Sequence, residues 1–370
     1  MAKTKHVQTL IEVVQSTQAL LAHYQASLAP SQTTPSDSQP TQTGLPSPLD
    51  VIKATTTLLK SHTTTLSLLL ITPPLTPSAI IAKLKDVSSG TISGMVAAAC
   101  YEPRDGEPDQ LGRTMRVEVK AQVRRLLGTW GDVLALVRKM AEKRQARTTT
   151  TAALAESEKQ EVLATTGVVW EACDTLLRLC TNGTVGLVVQ KAGELRAVLL
   201  DAIEELQEWG DDVVEDNEDD GAEQHSDEDE DEDAMFGSSN KLGKDDEQLK
   251  QLLDTGVKKL KLIGILYQAL IKRRLKTYPA SAAPAAANGA TSNPSKKLDA
   301  LMDRLRSIPE AVDDMASAFY DLDEHGAQQV LARCCEEANT AAEMMQHNWA
   351  GASDEFTAWC TKWREIFNKA

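Results

Sequence analysis

The chain has 370 residues, a formal net charge of −15 and 42% hydrophobic residues with few aromatics, enough for two or three domains that each bury a core. Its longest apolar run, Leu66 to Ile71, is closed by Pro73 and Pro74 and is far too short to span a bilayer. The opening MAKTKHVQTLIEVV lacks an apolar signal core, and six scattered cysteines without a CxxC pair suit a reducing cytosol or nucleus.

In chain order, Thr4 to Leu28 predicts a first helix with Val7, Leu10, Val14 and Leu21 on one side. Residues 30–46, rich in Ser, Thr, Gln and Pro, predict a flexible linker. Ser47-Pro48 and Thr76-Pro77 predict the starts of a second and a third helix, each with a hydroxyl cap and a proline in the first turn. The third runs through Ile80, Leu84, Val87 and Met95 to about Cys100. After a loop at Glu102 to Asp109, Val119, Val123, Leu126, Trp130, Val133, Val137 and Met140 step 4-3-4-3-4-3, the seam of a bundle helix.

The next stripe is Val162, Val169, Cys173, Leu176 and Cys180; Asn182-Gly183 turns the chain, and Val185 to Leu206 resumes the rhythm. Beyond residue 244, stripes run from Leu249 to Leu270, from Leu298 to Leu322, from Val330 to Met345 and from Phe356 to Phe367. Pro309 predicts a kink, or a restart capped by Ser307 with Glu310 three residues on. Strand-type alternation is not sustained anywhere. The expected fold is all-α: two antiparallel helical bundles, residues 1–210 and 245–370, joined by a disordered acidic segment at 211–244. The second bundle carries an Ala/Pro linker at 280–294.

That segment holds the whole charge imbalance. Asp211 to Asp233 has 15 acids and neither Lys nor Arg, leaving 39 acids against 39 bases elsewhere. A solvated charge run is the plain reading. Asp216, Glu218, Asp220, Gly221 and Asp227 approach calcium-loop spacing, but Glu223 stands where an apolar residue belongs and the exit helix is missing. Ser226, ahead of Asp227-Glu228-Asp229, suits an acid-directed kinase, and Thr34-Pro35 a proline-directed one.

The opposite pole is Lys250 to Lys276, with eight bases against Asp254. A solvated helix face is the plain reading. The functional ones are an import patch or partner-binding site at Lys272, Arg273, Arg274, Leu275 and Lys276, a calmodulin-like or membrane-surface helix, and a partner for the acidic run. Arg273-Arg274-Leu275 also fits an Arg-x-Leu cyclin-docking pattern. Direct nucleic-acid binding is not expected, since the basic stripe lacks stacking aromatics. Catalytic motifs are missing, so neither an enzyme nor a cofactor is expected: Gly90-Thr91-Ile92-Ser93-Gly94 has the wrong spacing for a nucleophile elbow, and the cysteines read as core.

Two segments are distinctive together. Thr166-Gly167-Val168-Val169-Trp170-Glu171-Ala172-Cys173-Asp174 puts a Thr-Gly before an amphipathic helix with Trp170, and Ser307-Ile308-Pro309-Glu310-Ala311-Val312-Asp313-Asp314 carries the proline noted above. With an acidic run between them, the chain resembles the cyclin-D-binding (cyclin-D-interacting) protein family. The resemblance implies vinculin- and talin-type helical architecture without catalytic residues. It also implies a cytoplasmic and nuclear regulator of the cell cycle and transcription that binds cyclin-like or helix–loop–helix partners. The rival expectation is a vinculin- or talin-like structural bundle linking cytoskeletal or membrane-associated proteins.

Overall fold

Pro48 and Pro77 open helices as their missing N–H groups allow, but the serine and threonine before them do not cap. A computed structural model of the chain describes residues 2–30, 46–103, 109, 111–146, 155–211, 242–243, 246–279 and 294–370. In it the Ser47 side chain makes no capping bond; instead its backbone carbonyl accepts from the amides of Asp50 (2.9 Å) and Val51 (3.1 Å). Thr76 spends its hydroxyl on the Pro74 carbonyl. Both expected caps are therefore corrected. With proline at the first helical position, a tight backbone turn occupies the amides a side chain would have served.

The described residues contain helices and no strand, which bears out the all-α expectation. They divide into two compact units, Met1–Thr184 and Val185–Ala370. In the first, α1 (Ala2–Ser27), α2 (Pro48–Ile71), α3 (Pro77–Asp86), α4 (Ser93–Ala99), α5 (Gly112–Ala146) and the first half of α6 (Glu156–Asp211) form a bundle. Cross-helix pairs show that neighbours run antiparallel. Gln145 bonds Gln8 at one end of α1 and α5 and Gln25 lies against Gly128 at the other; Lys139 and Lys143 pair with Glu161 and Glu158 between α5 and α6. The α5 seam is buried from Val119 to Val137, with Trp130 fully enclosed. Burying each such aliphatic side chain contributes about 1.5–3 kcal/mol before entropy is charged against it.

The expected third helix is α3 and α4 joined by a π-helical segment, Val87–Ile92. Its Ser88 and Ser89 hydroxyls donate back to the carbonyls of Leu84 and Lys85. A π turn inserts one residue into the helical rhythm, so the buried positions slip in register without the chain leaving the core. The Gly90 to Gly94 stretch lies within this helical path.

The second unit contains the other half of α6, α7 (Glu247–Arg273), α8 (Pro294–Tyr320), α9 (Glu324–Met344) and α10 (Glu355–Lys369). Helix α8 runs through Pro309, and the Ser307 hydroxyl bonds back to the Arg304 carbonyl, so no capped restart occurs there. The working caps lie elsewhere: Asp323 accepts from the Gly326 amide at the start of α9, and Asp354 with Thr357 forms a capping box on α10.

The boundary between units is a difference from the expectation of 210. Gly183, at φ 61° and ψ −164°, interrupts α6 in backbone space open to glycine. Beyond it Val188, Ala192, Leu199, Ile203 and Leu206 share one core with Leu249, Leu253, Leu260 and Tyr267 of α7. Arg196 Nε donates to the Gly264 carbonyl at 3.0 Å, and a Cβ built on Gly210 would lie 2.4 Å from Leu253 Cδ2. The acidic stretch therefore connects two helices of one unit and does not separate the units. Its residues from 212 to 241 lie outside the described residues, as do residues 31–45 of the expected linker at 30–46 and residues 280–293 of the one at 280–294.

Candidate interaction surfaces

The basic cluster Lys272, Arg273, Arg274, Leu275 and Lys276 does not form one surface. Lys272, Arg273 and Lys276 are exposed, whereas Arg274 is 1% exposed and Leu275 is fully buried. Arg274 follows the end of α7, and its guanidinium uses all five N–H donors. Nε donates to the Met345 carbonyl at 2.8 Å. Nη1 donates to Asp354 Oδ2 at 2.8 Å and the Arg273 carbonyl at 3.1 Å, and Nη2 to Asp354 Oδ1 at 2.9 Å and the Gln346 carbonyl at 3.1 Å. The guanidinium carbon sits 4.2 Å from the Phe356 ring centroid, and Trp349 Nε1 donates to the Arg274 carbonyl.

Hydrogen bonds from Arg274, aided by the Thr357 amide, hold the Asp354 carboxyl well below the usual carboxylate range. This is a structural tie between the end of α7, the α9–α10 connection and α10. An Arg-x-Leu motif would have to leave the core to be read by a partner. The calmodulin-like and membrane-surface readings meet the same obstacle, because the apolar seam of α7 from Leu249 to Leu270 already faces the core. The sequence did hold a signal for Arg274: Leu260, Ile263, Tyr267, Leu270 and Arg274 continue the steps 3-4-3-4, so the arginine falls on the buried register.

The α7 bases that remain at the surface are Lys250, Lys258, Lys261, Lys272 and Arg273; Lys259 turns to the end of α10 and donates to the Phe367 carbonyl at 3.2 Å. The proposed phosphosites Ser226 and Thr34 and the calcium-like series Asp216 to Asp227 lie outside the described residues.

The first unit presents a different surface. Asp174 meets Lys60 at 2.5 Å, and Cys180 lies within the charge influence of Lys53 and Asp50, so the first half of α6 runs antiparallel to α2. One, two and three turns back from Asp174 on that side are Trp170, Gly167 and Leu163, at steps of four, three and four. Leu163 is 55% and Trp170 37% exposed, and a Cβ on Gly167 would meet nothing within 4 Å. On α2, Thr64 and Leu68 follow Lys60 at steps of four, and Leu68 is 56% exposed. An indole on one helix beside a glycine gap, with a large aliphatic residue exposed on each helix, can accept the apolar side of another protein segment.

Burial pushes the Cys173 and Cys334 thiols up to about 12 and Cys180 up to about 11, so they stay protonated and unreactive at neutral pH. Among the described residues, groups of three or more His, Cys, Asp or Glu able to hold a metal ion are absent. His325 contacts Gln329, and His347 contacts Ser353. Among the same residues, none of the helices is long and apolar enough to cross a membrane.

Two comparisons bear on this geometry. Residues 51–212 match the family model described as Grap2 and cyclin-D-interacting, N-terminal, which supports the family resemblance drawn from Thr166 to Asp174. A protein of Schizosaccharomyces pombe, described as uncharacterized, is 26% identical over 336 residues, covering 86% of this chain and 84% of its own.

Proposed function

We propose, from the match of residues 51–212 to the cyclin-D-interacting family, that this protein is a non-enzymatic adaptor. It binds cyclin-like or helix–loop–helix partners in cell-cycle or transcriptional control, in the cytoplasm and the nucleus. The observation that carries this reading is the exposed strip Leu163, Gly167 and Trp170, which lies inside the matched segment. Trp170 leaves part of its indole at the surface beside the exposed Leu163, and a tryptophan is among the residues that most often anchor a binding hot spot. The segregated charge of the chain adds selectivity and speed of encounter more than affinity.

Affinity purification of the full chain from its own cells, followed by mass spectrometry, tests the proposal. Cyclins, their kinases or transcription factors should be recovered with the wild-type chain and depleted with Trp170→Ala. A recovered set consisting of actin-linked proteins, with sedimentation on filaments, would favour the vinculin- or talin-like structural role.

A further inference from the structure

The outer side of α7 is a second surface, separate from the one around Trp170. Two helices flank α7 and fix its orientation. The second half of α6 lies on the Gly264 side, where Arg196 bonds the Gly264 carbonyl and Leu200 Cδ2 would stand 3.4 Å from a Cβ on that glycine. Helix α10 lies on the Leu262 side, where Trp363 Nε1 donates to the Leu262 carbonyl at 3.0 Å. At about 100° per residue, Lys258, Lys261, Ile265 and Lys272 all project between those two directions, away from the core.

Five surface arginines of this unit have a carboxylate. Arg304 pairs with Glu337, Arg333 with Asp314, Arg364 with Glu343, Arg306 with Asp303 and Arg273 with Glu355. Lys258, Lys261 and Lys272 have no such partner among the described residues; the acids on their side of α7 are Asp254 and, three turns before Lys258, Glu247. Ile265, 48% exposed, sits among them, and the exposed Leu200 borders the strip through Gly264. From Lys258 to Lys272 the strip is about 21 Å long, four turns of a helix.

We propose that this strip docks an acidic amphipathic helix of a partner protein, with apolar residues on Ile265 and Leu200 and carboxylates on Lys258, Lys261 and Lys272. Charge complementarity selects the occupant: the strip offers three lysines without acceptors around an apolar centre, the counterpart of leucines flanked by glutamates. Nucleic acid is disfavoured because the strip has neither an arginine fork for base edges nor an exposed aromatic for stacking.

The test titrates the full chain into a labelled 16-residue synthetic peptide, with leucines at helical spacing and glutamates beside them, and follows fluorescence anisotropy. Saturable binding is expected, weakened by added salt and reduced at least about tenfold by Lys258→Glu with Lys261→Glu, and also by Ile265→Asp. Circular dichroism should show these exposed substitutions folded. Failure to bind overturns the proposal, as does equal binding of a peptide with lysines replacing the glutamates. Affinity for phosphatidylserine vesicles but not the peptide assigns the strip to membranes instead. Binding that emerges only after deletion of residues 212–241 assigns it to the chain's own acidic stretch.

Discussion

Arg274 and Asp354 form a two-pronged ion pair, at 2.8 and 2.9 Å, in which the arginine is buried and the aspartate is about one-third exposed. The same aspartate caps α10 through the Thr357 amide, so one carboxylate serves both a charge and a helix end. Removing the arginine would strip five hydrogen bonds, taking the side-chain donor from the Met345 carbonyl and leaving the Gln346 carbonyl with the Thr357 hydroxyl. Arg274→Ala should destabilise the second unit by about 3–5 kcal/mol, because breaking a buried pair costs far more than its net worth. Arg274→Lys should recover only part of this, since an ammonium cannot reproduce the planar fork. Urea unfolding followed by tryptophan fluorescence measures it, and a loss below about 1 kcal/mol would refute the structural role given to Arg274.

Acid should act on the same tie. The Asp354 carboxyl is depressed in the folded state, first by hydrogen bonds from Arg274. Its contribution is therefore complete above the unfolded carboxylate value of about 3.9 and is lost as the pH falls from there toward the lower folded value. The melting temperature of the wild type should drop between about pH 4 and pH 2 more steeply than that of Asp354→Asn, which has no charge to lose. Parallel curves would mean that the pair contributes nothing measurable.

Gly183 predicts a backbone effect free of side-chain packing. A Cβ there would find open space, yet φ is 61°, so Gly183→Ala should cost about 1–2 kcal/mol through conformation alone. Ala substitution at Gly167, which is helical and equally uncrowded, should instead stabilise the chain by about 0.5–1 kcal/mol. Thermal unfolding of the two variants should move in opposite directions, and movement in the same direction would contradict the assigned backbone geometry.

These residues also mark where the sequence could be read and where it could not. The seams of α5, α7 and α8 were legible because 3-4 spacing survives any choice of neighbour. The same indifference hid the boundary between units. The stripe from Val185 to Leu206 says that one side is buried without saying against what, and it belongs with α7 rather than with the helices before it. Capping failed for a local reason: Ser47 and Thr76 have suitable side chains but stand next to prolines, while Asp323 and Asp354 make the bonds. The composition of the Lys272 to Lys276 cluster suggests a surface, whereas the register of Arg274 places that residue inside. The strip at Trp170 was visible as a distinctive segment, but its exposure follows from packing that pattern alone does not specify.

Binding of partners through that strip is put to the test by titrating one purified partner, recovered with the full chain, against the chain itself. Trp170→Ala should weaken its affinity at least about tenfold, a loss of about 1.4 kcal/mol or more, while the circular dichroism and melting temperature of the chain stay as they were. Affinity unchanged within about twofold, with the fold equally intact, would contradict binding through the strip.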